Sequence, residues 1–316
     1  MIRTRALPHP ILPRRSLLAA AAALPFAAAA ATRAGAAASP APAAAPKGPW
    51  TDSGHVARAG GVLAWRALGP KDGDPVILLH KLGGWSADWR GVAPLLGPRH
   101  RVIAFDLPGH GDSTMNGPPP YAQTVPETAT MLMAALDEMG IARASFAGNS
   151  LGGIVATEIA ALWPQRVDKL VLASVSLFPG YDRAKLAQLE TARDPKVYTA
   201  DWRPVPRSAA GAGDFATQSP EVETEQDASR ARADRWVRPS ERGVGLFNTQ
   251  AALARTIAPL LFVYGDKGHY VKYVQTGKDL RGDAQVVQIA GAGSFVHQER
   301  PAEVGAAMRA FLETPA

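Results

Sequence analysis

The sequence has no cysteine in 316 residues. Disulfides, thiolate nucleophiles and Cys-type zinc sites are therefore excluded, whatever compartment the chain works in. No His, Asp and Glu group has metal-ligand spacing, so no metal is expected, and nothing in the sequence implies a cofactor. No internal repeat is visible. Acidic residues are absent from the first 46 positions, which carry five arginines. The whole chain has 34 basic and 28 acidic residues, so the rest holds 29 against 28. The net charge of +6 thus belongs almost entirely to the leading segment and gives no case for nucleic-acid binding.

That segment also lacks an apolar run long enough for a convincing membrane span. Arg3, Arg5, Arg14 and Arg15 precede an alanine-rich stretch from Leu17 to Ala31, the order of a charged region followed by an apolar one. Arg14-Arg15 before Ser16-Leu17-Leu18 resembles a twin-arginine export signal, with Ala36 and Ala38 offering an A-x-A cleavage site. The expectation is a signal over residues 1–38, an Ala/Pro-rich linker over 39–49, and a periplasmic or secreted domain over 50–316 that is free of the membrane once the signal is removed. About 270 residues are enough for one large domain.

Beyond residue 50 the pattern alternates. Strands are predicted at His55–Arg58 and Val62–Leu68, joined by Gly60-Gly61, then at Pro75–His80, Arg101–Phe105, Ala144–Ala147, Lys169–Val175, Leu260–Tyr264 and Gln285–Ile289. Helical spacing marks Trp85–Leu96, Thr124–Met139, Leu151–Trp163 and Pro301–Leu312. Strands alternating with helices imply an α/β fold, a doubly wound and mostly parallel sheet covered on both faces. Between about 177 and 252 the alternation stops, and that stretch reads as an inserted lid at the C-terminal side of the sheet. Its aromatic residues Trp202, Trp236 and Phe247 are expected to pack the insertion.

Gly148-Asn149-Ser150-Leu151-Gly152 stands between a predicted strand and a predicted helix. That is the setting of a nucleophile elbow, where small neighbours permit a strained turn and the helix start presents the serine hydroxyl. Four further motifs accompany it, two before and two after: Leu78-Leu79-His80-Lys81-Leu82-Gly83-Gly84, Phe105-Asp106-Leu107-Pro108-Gly109-His110-Gly111-Asp112-Ser113, Tyr264-Gly265-Asp266, and Gly291-Ala292-Gly293-Ser294-Phe295. From about Val62 to Leu312 the chain resembles the α/β-hydrolase superfamily, among its small esterases, lactonases and C–C hydrolases. The resemblance implies Ser150 as nucleophile and the N–H groups of Leu82 and Leu151 as an oxyanion hole. It also implies structural roles for His80, His110 and Asp106.

Three positions depart from the family pattern. Ser294 stands where the catalytic histidine is usual, Gly268 where the catalytic acid is usual, and Lys81 where the oxyanion loop usually has glycine. The resemblance directs the side chain at 81 towards the nucleophile. A buried, neutral Lys81 would then serve as proton acceptor, with Ser294 relaying a proton or orienting the amine, as in Ser–Lys variants of serine catalysis. The alternative is a displaced set in which His297 and Asp266, or the neighbouring His269, supply base and acid. Otherwise His297 reads as an exposed residue at a helix start, and His55 and His100 as surface residues. The implied function is a serine hydrolase for an ester, lactone or amide of a small apolar substrate. The competing implications are a degenerate ligand-binding protein and a lyase or isomerase using Lys81.

Overall fold

The short apolar runs of the sequence form the middle of a single sheet. In the computed structural model the described residues are 45, 47–58, 60–191, 193–210, 217 and 219–315. The signal expected over 1–38, and all of the expected linker but Ala45 and residues 47–49, lie outside them. The strands are β1 (Asp52–Arg58), β2 (Gly61–Leu68), β3 (Asp74–Leu79), β4 (His100–Phe105), β5 (Thr114–Met115), β6 (Ala144–Asn149), β7 (Val167–Ala173), β8 (Leu260–Gly265) and β9 (Gln285–Ile289). The helices are α1 (Ala93–Leu96), α2 (Val125–Glu138), α3 (Leu151–Leu162), α4 (Arg183–Thr191), α5 (Arg207–Ala210), α6 (Pro220–Ala233), α7 (Val237–Leu246), α8 (Thr249–Leu253), α9 (Val274–Leu280), α10 (Val296–Glu299) and α11 (Pro301–Leu312).

The sheet order is β1-β2-β4-β3-β6-β7-β8-β9, with β5 on β2. β1 and β2 form the expected hairpin, and β2 runs antiparallel to β4. From β4 to β9 all neighbouring pairs are parallel. The alternation within β3 shows why both faces must be covered. Ile77 and Leu79 join a core with α2 and α3, whereas Val76 and Leu78 join one with Trp89, α1 and α11. All four are at most 1% exposed. A strand buried on both faces reads as an unbroken apolar run, as this one does.

Local chemistry fixes the helix starts. Thr124 caps α2 through a reciprocal bond pattern with Glu127, leaving two otherwise orphaned N–H groups satisfied. The helix expected over Trp85–Leu96 is instead a tight turn at Ser86–Trp89 followed by α1. Gly91 and Pro94 fall between and just inside these pieces, and a proline lacks the N–H that a continuous helix would need there. Residues 174–259, between β7 and β8, hold α4 to α8. Trp202 packs there with Tyr198, Ala233 and Val237. His100, expected at the surface, is buried at the start of β4.

Candidate active site

Ser150 lies between the last residue of β6 and the first of α3, with φ 48° and ψ −114°. L-residues rarely occupy that region, and the turn is maintained by its surroundings. The Ser150 N–H donates to the Ser174 carbonyl at 3.2 Å. On the other side, a Cβ on Gly152 would collide with the carbonyl of Leu79. The loop after β3 therefore presses directly on the first turn of α3, as the pairing of Leu79 with Gly148 requires. Leu151 opens α3, so its N–H has no acceptor within the helix. Leu82 comes from the neighbouring loop and lines the same cavity.

That cavity has a volume of about 420 Å³. Ser150, Lys81, Leu82 and Phe295 face it from the sheet side, with His269 and Tyr270 beside them. Arg207 and Arg230 face it from the insertion between β7 and β8. The residue touching the nucleophile is Tyr270, whose hydroxyl donates to the Ser150 Oγ at 2.8 Å. Burial raises the Tyr270 pKa, although the hydrogen bond to Ser150 and the nearby Arg207 charge oppose this. At neutral pH the phenol is thus protonated and acts as a donor.

The Lys81 side chain is 3% exposed. Its ammonium does not bond Ser150 or Ser294; its hydrogen-bond partner among the described residues is Asp88, at 3.2 Å. Burial lowers the lysine pKa, while Asp88 supports its charge. Burial likewise raises Asp88 to about 6, against the pull of Lys81. The expected placement of Lys81 as a proton acceptor on Ser150, with Ser294 orienting it, is therefore corrected: the amine is buried but is held by the Asp88 carboxylate. Gln298 donates to the second Asp88 oxygen at 3.3 Å, fixing that carboxylate from α10.

The remaining candidates are spread around this centre. Ser294 is fully buried, and its Oγ accepts the His269 N–H at 2.9 Å. The His269 ring stands edge-on to Tyr270 and lines the cavity, but the hydroxyl on Ser150 is that of Tyr270. Asp266 accepts the Gly291 N–H at 2.8 Å and pairs with Lys267 at 3.7 Å. His297, expected to be exposed, is fully buried with its ring centroid 4.4 Å from that of Trp89. Neither of its ring nitrogens has a hydrogen-bond partner among the described residues, so it does not join Ser150 to Asp266. Burial and the Lys81 charge hold its pKa well below the ordinary histidine value, and it is a neutral packing group.

An aspartate cannot simply be returned to position 268. A Cβ there would lie 2.7 Å from the Gly293 carbonyl oxygen and 2.9 Å from the Ser294 nitrogen. His80 and Asp106 hold the loops together, as the resemblance implied. His80 donates from Nδ1 to the Lys81 carbonyl at 2.7 Å and accepts the Leu107 N–H on Nε2 at 2.9 Å. Asp106 accepts the N–H groups of Ser86, at 2.5 Å, and Asp112, at 2.8 Å. Among the described residues no group of three His, Asp or Glu side chains is placed to hold a metal ion.

Sequence reasoning missed Tyr270, Asp88, Arg207 and Arg230. Asp88 lies seven residues after Lys81, in a turn that the sequence makes look like ordinary amphipathic helix. Tyr270 is 120 residues from Ser150, and no local periodicity brings two such residues together.

Comparison with known proteins agrees with this architecture. A sequence model of the alpha/beta hydrolase family matches residues 76–307, well over half of the chain. The chain is 41% identical over 123 residues to the dihydrolipoyllysine-residue acetyltransferase component of an acetoin cleaving system from Pseudomonas putida, covering 38% of this chain and 32% of that protein. It is 39% identical over 114 residues to a pimeloyl-[acyl-carrier protein] methyl ester esterase from Photobacterium profundum, covering 36% of this chain and 41% of that one. The matches thus span about a third to two fifths of these relatives. A solved hydrolase from Pseudomonas aeruginosa PA01 superposes with a TM-score of 0.68 at 26% identity, over 84% of this chain and 99% of that one. With the strained serine turn, the parallel sheet order and the family match together, the chain belongs to the alpha/beta hydrolase family.

Proposed function

We propose that the chain is an acyl hydrolase for a carboxylic ester or lactone of a small substrate, with Ser150 as nucleophile. The observation that carries this reading is the Ser150 turn itself. Its backbone is held at φ 48° at the start of α3, facing a cavity of about 420 Å³. A strained conformation of this kind costs about 1–3 kcal/mol and persists only where the surroundings enforce it. In the proposed reaction Ser150 attacks the acyl carbon, and the N–H groups of Leu151 and Leu82 receive the oxyanion. Collapse of the tetrahedral intermediate breaks the acyl C–O bond and expels the alcohol, which takes up the proton removed from Ser150. Water then adds to the acyl-enzyme, releasing the acid and restoring the serine hydroxyl. Similarity to a methyl ester esterase supports an ester as the bond cleaved.

For the proton acceptor we propose the ionised form of Tyr270, because its oxygen is at hydrogen-bond distance and Lys81 is engaged by Asp88. The two bases make opposite predictions for pH dependence. A phenol raised above its ordinary value leaves the rate climbing through about pH 10, whereas a depressed lysine would give a plateau below that. The test combines the pH–rate profile on an activated ester with fluorophosphonate labelling. Labelling should rise with pH, vanish in Ser150→Ala, fall strongly in Tyr270→Phe and survive Lys81→Met. Loss of labelling in a Lys81→Met protein shown by its melting curve to be folded at the labelling pH, with Tyr270→Phe still reactive, would restore the lysine as base.

A second reading is favoured by the direction of the Tyr270 hydrogen bond. At neutral pH it donates to Ser150, which gives the nucleophile no proton acceptor there. The cavity would then serve to hold a small ligand without turning it over. Failure to label at any pH, in a protein that still binds carboxylates, would select this reading.

A further inference from the structure

Arg230 projects from α6 into the cavity of Ser150 and is only 7% exposed. Its Nε is buried without a hydrogen-bond partner, and no ion pair to its guanidinium exists among the described residues. Arginine is almost never buried unless paired, because an unpaired buried charge is expensive. The charge of Lys81 in the same wall is balanced by Asp88. The carboxylate of Glu241, which also lines the cavity, takes the Tyr198 hydroxyl at 2.6 Å. Burial, and secondly the like charge of nearby Arg230, bring Arg207 down to about 10. Two guanidinium groups are thus brought into one cavity, and the buried one lacks a counter-charge.

The surrounding chain makes room for this arginine. Gly83, at φ +69°, belongs to the loop that carries Leu82, and a Cβ there would lie 2.7 Å from the Arg230 Cγ. The arginine stem is therefore seated against the loop beside the nucleophile. Elsewhere the lining is largely apolar, with Phe178, Val205, Val244 and Phe295. A planar guanidinium fork matches a carboxylate with two parallel hydrogen bonds.

We infer that Arg230, assisted by Arg207, forms a carboxylate subsite, and that the molecule the cavity takes is an amphipathic acid, such as the monoester of a dicarboxylic acid. This deepens the proposed function by naming a substrate class, but it does not depend on how Ser150 is activated. The experiment uses the full chain carrying Ser150→Ala, so that nothing is turned over. Calorimetry compares monomethyl adipate with dimethyl adipate. The monoester should bind at least about tenfold more tightly than the diester.

Arg230→Gln should abolish that preference, weakening monoester binding at least about tenfold more than diester binding, and should melt no lower than its parent because it removes an unpaired buried charge. Arg230→Lys should keep part of the preference. Equal binding of the two esters would overturn the subsite, as would a preference that survives Arg230→Gln. A marked fall in melting temperature in Arg230→Gln would also overturn it, since the guanidinium would then be a structural group. Absence of fluorophosphonate labelling alongside a clear monoester preference would remove the hydrolase reading and leave this one standing.

Discussion

Lys81 and Asp88 form a buried pair whose members are each harmful alone. Breaking such a pair from one side costs about 3–5 kcal/mol, because the remaining charge stays buried without compensation. Lys81→Met should therefore destabilise the protein, and the loss should depend on pH in a definite direction. Asp88 is already raised to about 6 with the lysine pulling it down, so removing Lys81 moves it higher. A carboxyl raised in the fold contributes its stability below the unfolded value of about 3.9 and loses it as pH climbs through the folded value. Relative to wild type, Lys81→Met should lose least near about pH 5 and most near about pH 8, read from melting temperatures across that window. Adding Asp88→Leu should recover most of the loss. A deficit of the same size at both pH values would show that Asp88 carries no charge to be balanced. The nucleophile was legible because its turn is written in five adjacent residues. The partner of Lys81 was not, because a tight turn replaces the regular helix that the sequence suggests.

At the level of elements, α6 of the insertion is tied to the loops beside the sheet by specific polar contacts. Asp112, after β4, accepts Arg66 of β2 at 2.6 Å and Arg232 of α6 at 2.5 Å, while Arg232 also donates to the Gly111 carbonyl at 2.7 Å. Arg90 meets Glu225 of the same helix at 2.5 Å. Partly exposed pairs contribute at most about 1 kcal/mol each, so they position the helix more than they hold the fold. Asp112→Ala should leave the melting temperature nearly unchanged but raise amide exchange in α6 by about tenfold. Unaltered α6 exchange in that variant would mean the helix is held by packing alone. The helices α2 and α11 were readable because each buries a periodic apolar face, and the central strands and α3 because they are apolar almost throughout. In α6 only Val222 and Ala233 are buried apolar residues; Gln226, Ser229 and Arg230 are buried beside them, so no apolar period marks which face turns inwards.

At the scale of the molecule, the charge distribution and the missing cysteines bear on one question, the order of folding and transport. The body of the chain holds 29 bases and 28 acids, and its sheet closes without a disulfide. Such a domain reaches its folded state without an oxidising compartment. Among the described residues no helix is long and apolar enough to cross a membrane. We propose that the arginine-only leader directs an already folded domain out of the cytoplasm, and that Arg14 and Arg15 are the recognised pair. Replacing both with lysine preserves charge and changes only the guanidinium chemistry. In a bacterial host with a twin-arginine translocase, the wild-type chain should fractionate with the periplasm and the double-lysine variant should remain in the cytoplasm. The wild type should also stay there in a host lacking that translocase. Periplasmic recovery of the lysine variant at the wild-type level would mean that the pair is not read as an address.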